Sequence, residues 1–464
     1  MTTIVATDFP ATPRRTIFGH PRGLAVLALT ELWDRISFHG MQAVLVLFMV
    51  DQLLRPGHIE HIVGFAPFRA VVEQVTGPLS VQALASQIFG LYVGLVAATP
   101  MLGGYLGDRV LGRTRTVTLG ALLMTIGHFC MAFDQSFLLA LTLLILGAGF
   151  LRANLSPQIS DLYPPDDRRR EVAFQLYASM INLGGFIAPL ATGALAQAWS
   201  WHAAFGFAGF GMLIGLIVYL AGRRDLPATS ARPPRGERAR LTIAERKVVG
   251  LLLLLVPVAS LFWIAQSQVW NTYNLWARDH IDLNIGGWTM PVVWLQSLDG
   301  LAPFVLLPPT LVFWRWQADR GVEPGSFTKL AIGCLIFAVS TAWLAAAGLV
   351  TDGSGRTPLL WAVAFHGGSN LGWLYFAPSA TALFTRCAPR SVNGLMIGTL
   401  SLSVTLGSLI SGRIGGLYET LDPSTFWLLH AALVGAGGAL FFIIGKGMGR
   451  RFYAAAPPAL AACP

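Results

Sequence analysis

The stretch GLAVLALTELWDRISFHGMQAVLVLFMVDQL, Gly23–Leu53, decides the fold of this chain. It is apolar and long enough to cross a bilayer, which takes about 20 residues. Three ionisable residues, Glu31, Asp34 and Arg35, nevertheless lie in its first half. A charge near the centre of a membrane helix costs about 2.5 kcal/mol or more, so these side chains are not expected to face lipid.

The spacing of these three residues places them together. Glu31 and Arg35 are four residues apart and share one helix face, and Asp34 lies on the same side. Ionisable groups inside a membrane usually have a function, so we interpret the cluster as a proton or ion relay that lines a polar cavity. The alternative is a structural ion pair that joins two helices.

The composition of the whole chain is that of a polytopic membrane protein. Of its 464 residues 54% are hydrophobic and 12% are charged, whereas soluble domains carry about 25% charged residues. The net charge is +9, but the basic residues are distributed along the chain as membrane topology requires, so nucleic acid is not an expected partner. The four cysteines are scattered and suggest neither a disulfide framework nor a metal site.

Hydropathy predicts twelve membrane spans. Lys and Arg concentrate in alternate connecting segments, which places both termini in the cytoplasm and implies an even number of spans. Residues 1–22 lack the apolar core of a cleavable signal peptide, so we expect a multi-pass protein of the cell (plasma or inner) membrane. The predicted spans are about 24–53, 83–106, 115–133, 136–157, 171–197, 202–222, 248–277, 290–314, 327–349, 358–386, 391–416 and 424–447.

A polar, proline-containing connector divides the chain into two halves of six spans. Halves of this kind carry their substrate between them near the bilayer midplane. The segment 54–82, which runs into the stretch LSVQALASQIFG (Leu79–Gly90), is expected to be an outward loop that leads into the second span. The low-complexity end 452–464 is expected to be disordered. The predicted divisions are a cytoplasmic N-terminus 1–23, a bundle 24–222, a cytoplasmic linker 223–247, a second bundle 248–448 and a cytoplasmic tail 449–464.

The segment GGYLGDRVLGRTR, Gly103–Arg115, follows the second span. It resembles the signature loop of the major facilitator superfamily, and this resemblance implies a role in conformational gating. The alternative is a merely basic turn at the membrane surface. The residues expected to act in gating are Gly104, Asp108, Arg109, Gly112 and Arg113.

A closer resemblance runs through most of the chain. Glu31–Gly40, ELWDRISFHG, is similar to the ExxERFxYYG motif of proton-dependent oligopeptide transporters. Gly149–Pro189, Trp270–Leu283 and Leu383–Gly398 also resemble that family. The resemblance implies an all-α membrane protein with the major facilitator fold, in which 12 transmembrane helices form two six-helix bundles. The linker is too short for the two extra helices that many bacterial members carry.

Proton coupling is assigned by this resemblance to Glu31, Asp34, Arg35 and Arg152. Arg152 stands where the family usually has lysine, and an arginine stays protonated where a buried lysine can lose its proton. Charged carboxylates would hold the arginines. Their protonation would free one guanidinium to bind a substrate carboxylate bidentately.

The resemblance also suggests where substrate binds. Asn182 matches the family asparagine that holds the amino end of a peptide, but other pocket positions depart from the family pattern. Trp373 stands where many relatives have the acid that receives the substrate ammonium, and we infer that Asp299 replaces that acid. The candidate substrate-binding residues are Phe38, His39, Gln42, Asn182, Gln268, Trp270, Asp299 and Trp373.

Some of these residues have a second interpretation. Asp299 could be a surface residue at a helix end, and His39 could be a neutral packing histidine. The remaining histidines within apolar spans, His128, His366 and His430, are expected to pack in the core.

The expected function is a proton-coupled symporter for di-/tripeptides or peptide-like zwitterions that works by alternating access. Protons are the coupling ion, with no other cofactor and no metal, and a monomer in the lipid bilayer is expected. The alternatives are a relative that carries a non-peptide anion or an amino acid, and a substrate sensor that does not transport. An enzyme is not expected, because the sequence has neither an HExxH pair nor a nucleophile elbow.

Overall fold

The computed structural model describes residues 16–164, 166–227, 241–351, 355–389 and 392–455. Helices dominate these ranges, with two short hairpins, β1–β2 (Thr16–Ile17, His20–Pro21) and β3–β4 (Asn284–Ile285, Trp288–Thr289). The helices are α1 (Arg22–Phe48), α2 (Phe65–Thr76), α3 (Val81–Ala98), α4 (Pro100–Arg109), α5 (Arg113–Cys130), α6 (Phe137–Asp161), α7 (Arg169–Ala198), α8 (Trp201–Gly222), α9 (Ile243–Gln268), α10 (Thr272–His280), α11 (Ser297–Asp319), α12 (Ser326–Ala345), α13 (Leu359–Cys387), α14 (Asn393–Gly415) and α15 (Pro423–Ala455).

Each of the twelve predicted spans is occupied by a long helix, so the predicted all-α architecture is confirmed. Within the described ranges, ten helical segments have the length and apolar composition of a membrane span. The predicted spans outside those ten are α5 and α13. Arg113 and Arg115 open α5, and α13 carries His366 and Asn370 in its middle, so polar residues lower the hydropathy of both.

The helices pack as two groups that follow the order of the chain. In the first group α1 packs against α7 and α8, and α5 packs against α6 and α8. In the second group α12 packs against α13 and α15, and α9 packs against α14 and α15. The groups meet where α3 lies against α14 and where α7 lies against α11.

Glycines allow the backbones of the two groups to touch. A Cβ atom on Gly300 of α11 would lie 2.1 Å from the backbone nitrogen of Phe186 in α7. A Cβ atom on Gly90 of α3 would lie 2.7 Å from the Cα atom of Gly412 in α14. Only glycine permits such an approach, and it brings the first turns of α11 against α7.

Polar contacts join the two groups at one end of the bundle, which we call the sealed end. Nη1 of Arg278 donates to Oδ1 of Asp51 over 2.8 Å. Nδ2 of Asn271 donates to Oγ of Ser86 over 2.7 Å. These contacts hold the end of α1 and the start of α3 against the α9–α10 region.

Two predicted spans are broken in the structure. The second span divides into α3 and α4, because Pro100 lacks the backbone N–H that would continue the ladder. The seventh span divides into α9 and α10 at Asn271, whose φ of −104° and ψ of −105° are not helical.

The predicted outward loop 54–82 ends at Ser80 in the structure, because α3 begins at Val81, two residues before the predicted second span. Ser80 caps α3 by accepting a hydrogen bond from the backbone nitrogen of Ala83 over 3.1 Å, so the helix begins earlier than its hydropathy suggests. The preceding segment also contains a helix, α2, that the sequence did not predict.

The predicted division points fall partly outside the described residues. Of the N-terminal segment, 1–15 lie outside them, as do 228–240 of the linker and 456–464 of the tail. Within the described part, α9 already begins at Ile243, and α15 continues to Ala455.

Candidate functional site

Glu31 lies in the middle of α1 and its side chain is fully buried. Nε of Arg35 donates to its Oε1 over 2.7 Å. The hydroxyl of Tyr177 in α7 donates to its Oε2 over 2.5 Å. Both oxygens are therefore bonded to donors, one from α1 itself and one from the neighbouring helix.

Asp34 is also fully buried and faces α6. Nε of Arg152 donates to its Oδ2 over 3.0 Å, and Nη2 of Arg152 donates to its Oδ1 over 3.4 Å. Arg35 adds a longer ionic contact of 3.7 Å between its Nε and Oδ2. The guanidinium of Arg152 also lies over the ring of Phe38, 4.0 Å from its centroid.

The structure thus brings together all four residues that the sequence assigned to proton coupling. Two arginines and two carboxylates form a connected cluster that joins α1 to α6, and Tyr177 extends this cluster to α7. Every member has an opposite charge within 4 Å, which offsets part of the cost of burying it. Protonation of Glu31 would remove its attraction to Arg35, and protonation of Asp34 would remove its attractions to Arg152 and Arg35.

The predicted gating motif forms a separate cluster at the α4–α5 turn. Nη1 of Arg113 donates to Oδ2 of Asp161 over 2.6 Å, and Nε of Arg113 donates to Oδ1 of Asp108 over 3.2 Å. Gly112 has a φ of +80°, a conformation that favours glycine. The motif residues occupy the last turns of α4 and the start of α5: Gly104, Asp108, Arg109, Gly112 and Arg113.

A cavity of about 250 Å³ lies between the two halves. Five of the eight predicted substrate-binding residues line it, together with Arg35 of the buried cluster. The lining residues are Arg35, His39, Ile181, Asn182, Gly185, Gln266, Trp270, Asp299, Gly300, Pro303, Asn370 and Trp373.

Asp299 lies in the first turn of α11 and forms the acidic side of this cavity. Nδ1 of His366 contacts its Oδ1 over 2.7 Å, and Nδ2 of Asn370 donates to the same oxygen over 2.7 Å. Within the described part of the chain, its Oδ2 is buried without a hydrogen-bond partner. The alternative that Asp299 is a surface residue at a helix end is therefore wrong.

The expectation that His366 only packs in the core was also wrong. Its side chain is 1% exposed, yet its Nδ1 is bonded to a carboxylate rather than to the backbone. By contrast, Nδ1 of His430 lies 2.8 Å from the carbonyl oxygen of Phe426, a contact within one helix. His128 is buried in α5, and its ring nitrogens have no partner among the residues described.

His39 faces the cavity from α1. Its ring centroid is 5.3 Å from that of Trp270, which belongs to the other half. Its Nδ1 is buried without a partner in the described structure. The geometry is compatible with both interpretations of this residue, a titrating group and a packing group.

Three predicted substrate-binding residues do not line the cavity. Phe38 lies under the guanidinium of Arg152. Gln268 donates to the carbonyl oxygen of Ser411 over 2.8 Å, and its Oε1 accepts from Thr272, so it serves packing within the second half. Gln42 is buried one turn beyond the cavity, where α1 is covered by neighbouring helices.

Comparison with known proteins identifies the chain. A family model described as the POT family matches residues 114–234 and 235–428. The chain belongs to the POT family.

Relatives of this POT-family protein extend over nearly its whole length. A peptide transporter of Yersinia enterocolitica is 28% identical over 93% of this chain and 95% of that protein. A di-/tripeptide transporter of Lactococcus lactis is 26% identical over 93% of this chain and 96% of that protein.

Solved structures agree with the fold. The crystal structure of a peptide transporter in complex with sulfate has a TM-score of 0.82 and 25% sequence identity, and the match covers 95% of this chain and 97% of that one. The same scores hold for a mutant of a peptide transporter in complex with alafosfalin. The major facilitator fold predicted for this POT-family chain is confirmed.

Sequence reasoning missed three polar residues of the POT-family site. Tyr177 lies inside a segment that carried the family resemblance, but an uncharged phenol in an apolar span gives no signal by composition. His366 and Asn370 are four residues apart on α13, a spacing that puts them on one helix face. That spacing was the available signal, although the sequence does not show that Asp299 lies opposite.

Proposed function

We propose that this POT-family protein is a symporter that carries di-/tripeptides, or peptide-like zwitterions, together with protons by alternating access. The observation that carries the proposal is the polarity of the cavity. A guanidinium, Arg35, lines it from the first half, and a carboxylate, Asp299, lines it from the second. A zwitterion that spans the cavity can present its carboxylate to one wall and its ammonium to the other.

We base proton coupling on Arg35, because its side chain belongs both to the cavity wall and to the buried cluster of charges. It is a wall of the cavity and also the partner of Glu31 at 2.7 Å. While Glu31 is charged, the guanidinium is held by it. When Glu31 takes a proton, this attraction is lost and the guanidinium is available to a substrate carboxylate, so proton and substrate are bound together.

Asp34 and Arg152 form the second switch of this mechanism. Their contacts tie α1 to α6. Protonation of Asp34 would loosen that tie and let the helices of the first half shift against each other. The protein makes and breaks no covalent bond in this cycle, and we propose a transporter rather than an enzyme.

The cavity is small and has aromatic walls. Trp270 and Trp373 line it, and its volume is about 250 Å³. Flat apolar side chains at these positions limit the length of the cargo, which favours dipeptides and single zwitterions of similar size over longer peptides.

Orientation follows from the distribution of basic residues in the connecting segments. We propose that both termini are cytoplasmic and that the sealed end, with Asp51 and Arg278, faces away from the cytoplasm. The protein would act as a monomer in the plasma or inner membrane.

A second candidate is a transporter of non-peptide anions or single amino acids. It is favoured by Trp373, which stands where the family resemblance implies an acid that receives a peptide ammonium. The acidic wall formed by Asp299 argues for cargo with a positive group and thus against simple anions.

The test is uptake of a labelled dipeptide into proteoliposomes with an imposed inward proton gradient. Unlabelled dipeptides, single amino acids and nitrate are added as competitors. Accumulation that depends on the gradient and is competed best by dipeptides supports the proposal. Competition by amino acids or nitrate alone would favour the second candidate, and binding without flux would indicate a sensor.

A further inference from the structure

A second cavity, of about 350 Å³, lies at the sealed end of the bundle. One wall belongs to the first half, within residues 78–83 at the start of α3, and the other to the second half, within residues 413–420 at the end of α14. At this joint Nε2 of Gln82 donates to the carbonyl oxygen of Gly415 over 3.1 Å. The volume is in the range of cavities that hold small molecules, so this is a candidate binding site separate from the central cavity.

Two opposite charges line this second cavity without pairing. Arg413 is exposed, and its side chain has neither a hydrogen bond nor an ion pair among the described residues. Glu419 accepts a hydrogen bond from the hydroxyl of Ser80 through Oε2, and within the described ranges it makes no ion pair with Arg413. A guanidinium and a carboxylate that share a cavity but do not neutralise each other are complementary to a zwitterion.

Arg413 also ends an exposed apolar stripe on α14. Leu406, Ile410 and Arg413 follow one another at spacings of four and three residues, so they share one helix face. Leu406 is 41% exposed and Ile410 is 42% exposed, while α14 packs against α3 and α9 with its other faces. In a membrane helix, an apolar face that ends in a cation fits acyl chains that lie below a phosphate group.

We propose that the second cavity binds the headgroup of a membrane lipid that carries both a phosphate and a primary ammonium. The guanidinium of Arg413 donates to the phosphate oxygens, and the carboxylate of Glu419 accepts an N–H from the ammonium. The acyl chains lie along Leu406 and Ile410. The stripe favours a lipid over a soluble zwitterion, because a soluble ligand would make no use of it.

The lipid would stabilise one arrangement of the halves. The second cavity exists only while the start of α3 lies against the end of α14, so a ligand that fills it favours the closed sealed end. This inference does not depend on which cargo the central cavity carries. The proposed orientation of the protein places the headgroup in the leaflet that faces away from the cytoplasm.

The experiment titrates purified full-length protein in detergent with three dioleoyl lipids and measures each dissociation constant by native mass spectrometry. Phosphatidylethanolamine has both charged groups. Phosphatidylglycerol lacks the ammonium, and the quaternary nitrogen of phosphatidylcholine has no N–H to donate. We expect phosphatidylethanolamine to bind about tenfold more tightly than either, because the other two lose the charge-assisted hydrogen bond to Glu419.

Four variants assign the preference to this cavity. Arg413→Gln and Glu419→Gln should each weaken binding of phosphatidylethanolamine about tenfold, and Glu419→Gln should also remove the preference over phosphatidylglycerol. Arg413→Lys keeps the positive charge and should keep the preference. Arg315→Gln is the matched control and should behave as wild type, because Arg315 is an exposed arginine of α11 that lies outside the cavity.

Two further ligands separate a lipid site from a site for soluble zwitterions. Glycerophosphoethanolamine has the same headgroup without acyl chains and should bind much more weakly than the lipid. Alanyl-alanine, added in excess, should leave the bound phosphatidylethanolamine in place.

Hydrogen–deuterium exchange of wild type in nanodiscs measures the effect on the sealed end. Peptides that cover 78–90 and 413–420 should exchange more slowly in phosphatidylethanolamine than in phosphatidylcholine, each mixed with the same fraction of phosphatidylglycerol. Equal exchange in the two mixtures would overturn the claim that the lipid stabilises the closed sealed end.

The remaining outcomes decide the site itself. Equal affinity of wild type for the three lipids overturns the inference, as does a preference that survives in both Arg413→Gln and Glu419→Gln or is lost in Arg315→Gln. Binding of glycerophosphoethanolamine as tight as that of the lipid, or displacement of the lipid by alanyl-alanine, would show a site for soluble zwitterions and overturn the lipid assignment. None of these results bears on dipeptide uptake, which is measured separately.

Discussion

Replacement of Arg152 by glutamine tests whether the buried ion pair is an energetic necessity of this fold. Arg152 contributes two N–H contacts to Asp34, at 3.0 and 3.4 Å, and the carboxylate that it leaves behind is fully buried. Arg35 is the nearest remaining cation, at 3.7 Å, but it is already bonded to Glu31. The variant therefore leaves a buried charge with little compensation.

The expected cost follows from this geometry. Removal of one partner of a buried pair destabilises a protein by about 3–5 kcal/mol, because the other charge remains desolvated. A buried carboxyl without a counter-charge favours its protonated form. In the variant the folded state then holds a proton that the unfolded state releases, so stability falls as the pH rises and recovers as the pH is lowered.

The assay is thermal unfolding of purified wild type, Arg152→Gln, Asp34→Asn and the double variant at pH 5 and pH 7.5. Arg152→Gln should melt well below wild type at pH 7.5, and the difference should shrink at pH 5. The double variant should recover most of the loss, because it buries neither charge. A double variant whose loss equals the sum of the two single losses would refute the reasoning.

Three further predictions concern the contacts between the halves. Gly300→Val should abolish uptake and lower the melting temperature, because a Cβ atom would lie 2.1 Å from a backbone nitrogen of α7. Gly206→Val is the control and should preserve both, because a Cβ atom there meets nothing within 4 Å. Equal effects of the two variants would contradict the close packing. A double-mutant cycle of Arg278→Ala and Asp51→Ala in thermal unfolding should give a coupling free energy between the two side chains of only about 0.2–1 kcal/mol, because both are partly exposed. A much larger coupling free energy would contradict this estimate. Trp373→Ala should enlarge the cavity and increase competition by tripeptides relative to dipeptides, and an unchanged ratio would show that the tryptophan does not limit cargo length.

Much of the fold is predictable from this sequence because the bilayer imposes simple rules. Apolar length gives the spans. The charges of Glu31, Asp34 and Arg35 within such a span indicate a buried cluster, and the structure shows these residues in contact. The breaks at Pro100 and Asn271 were missed, since a span that bends keeps the same hydropathy as one that is straight.

The site was less predictable because it is built from two halves. The family resemblance marked Gln268, but whether its amide meets the cavity or the neighbouring helix depends on rotation of α9, which local sequence does not specify. The partnership of Asp299 with His366 joins residues 67 positions apart. A single sequence carries no signal for such a contact until the packing of α11 against α13 is known.

The most direct test of the central claim is uptake by Glu31→Gln in proteoliposomes. Wild type should accumulate labelled dipeptide when an inward proton gradient is imposed, and it should also exchange labelled for unlabelled dipeptide without a gradient. Glu31→Gln cannot take up the coupling proton, so we expect exchange to persist while gradient-driven accumulation is lost. Accumulation by Glu31→Gln at the wild-type level would contradict the account.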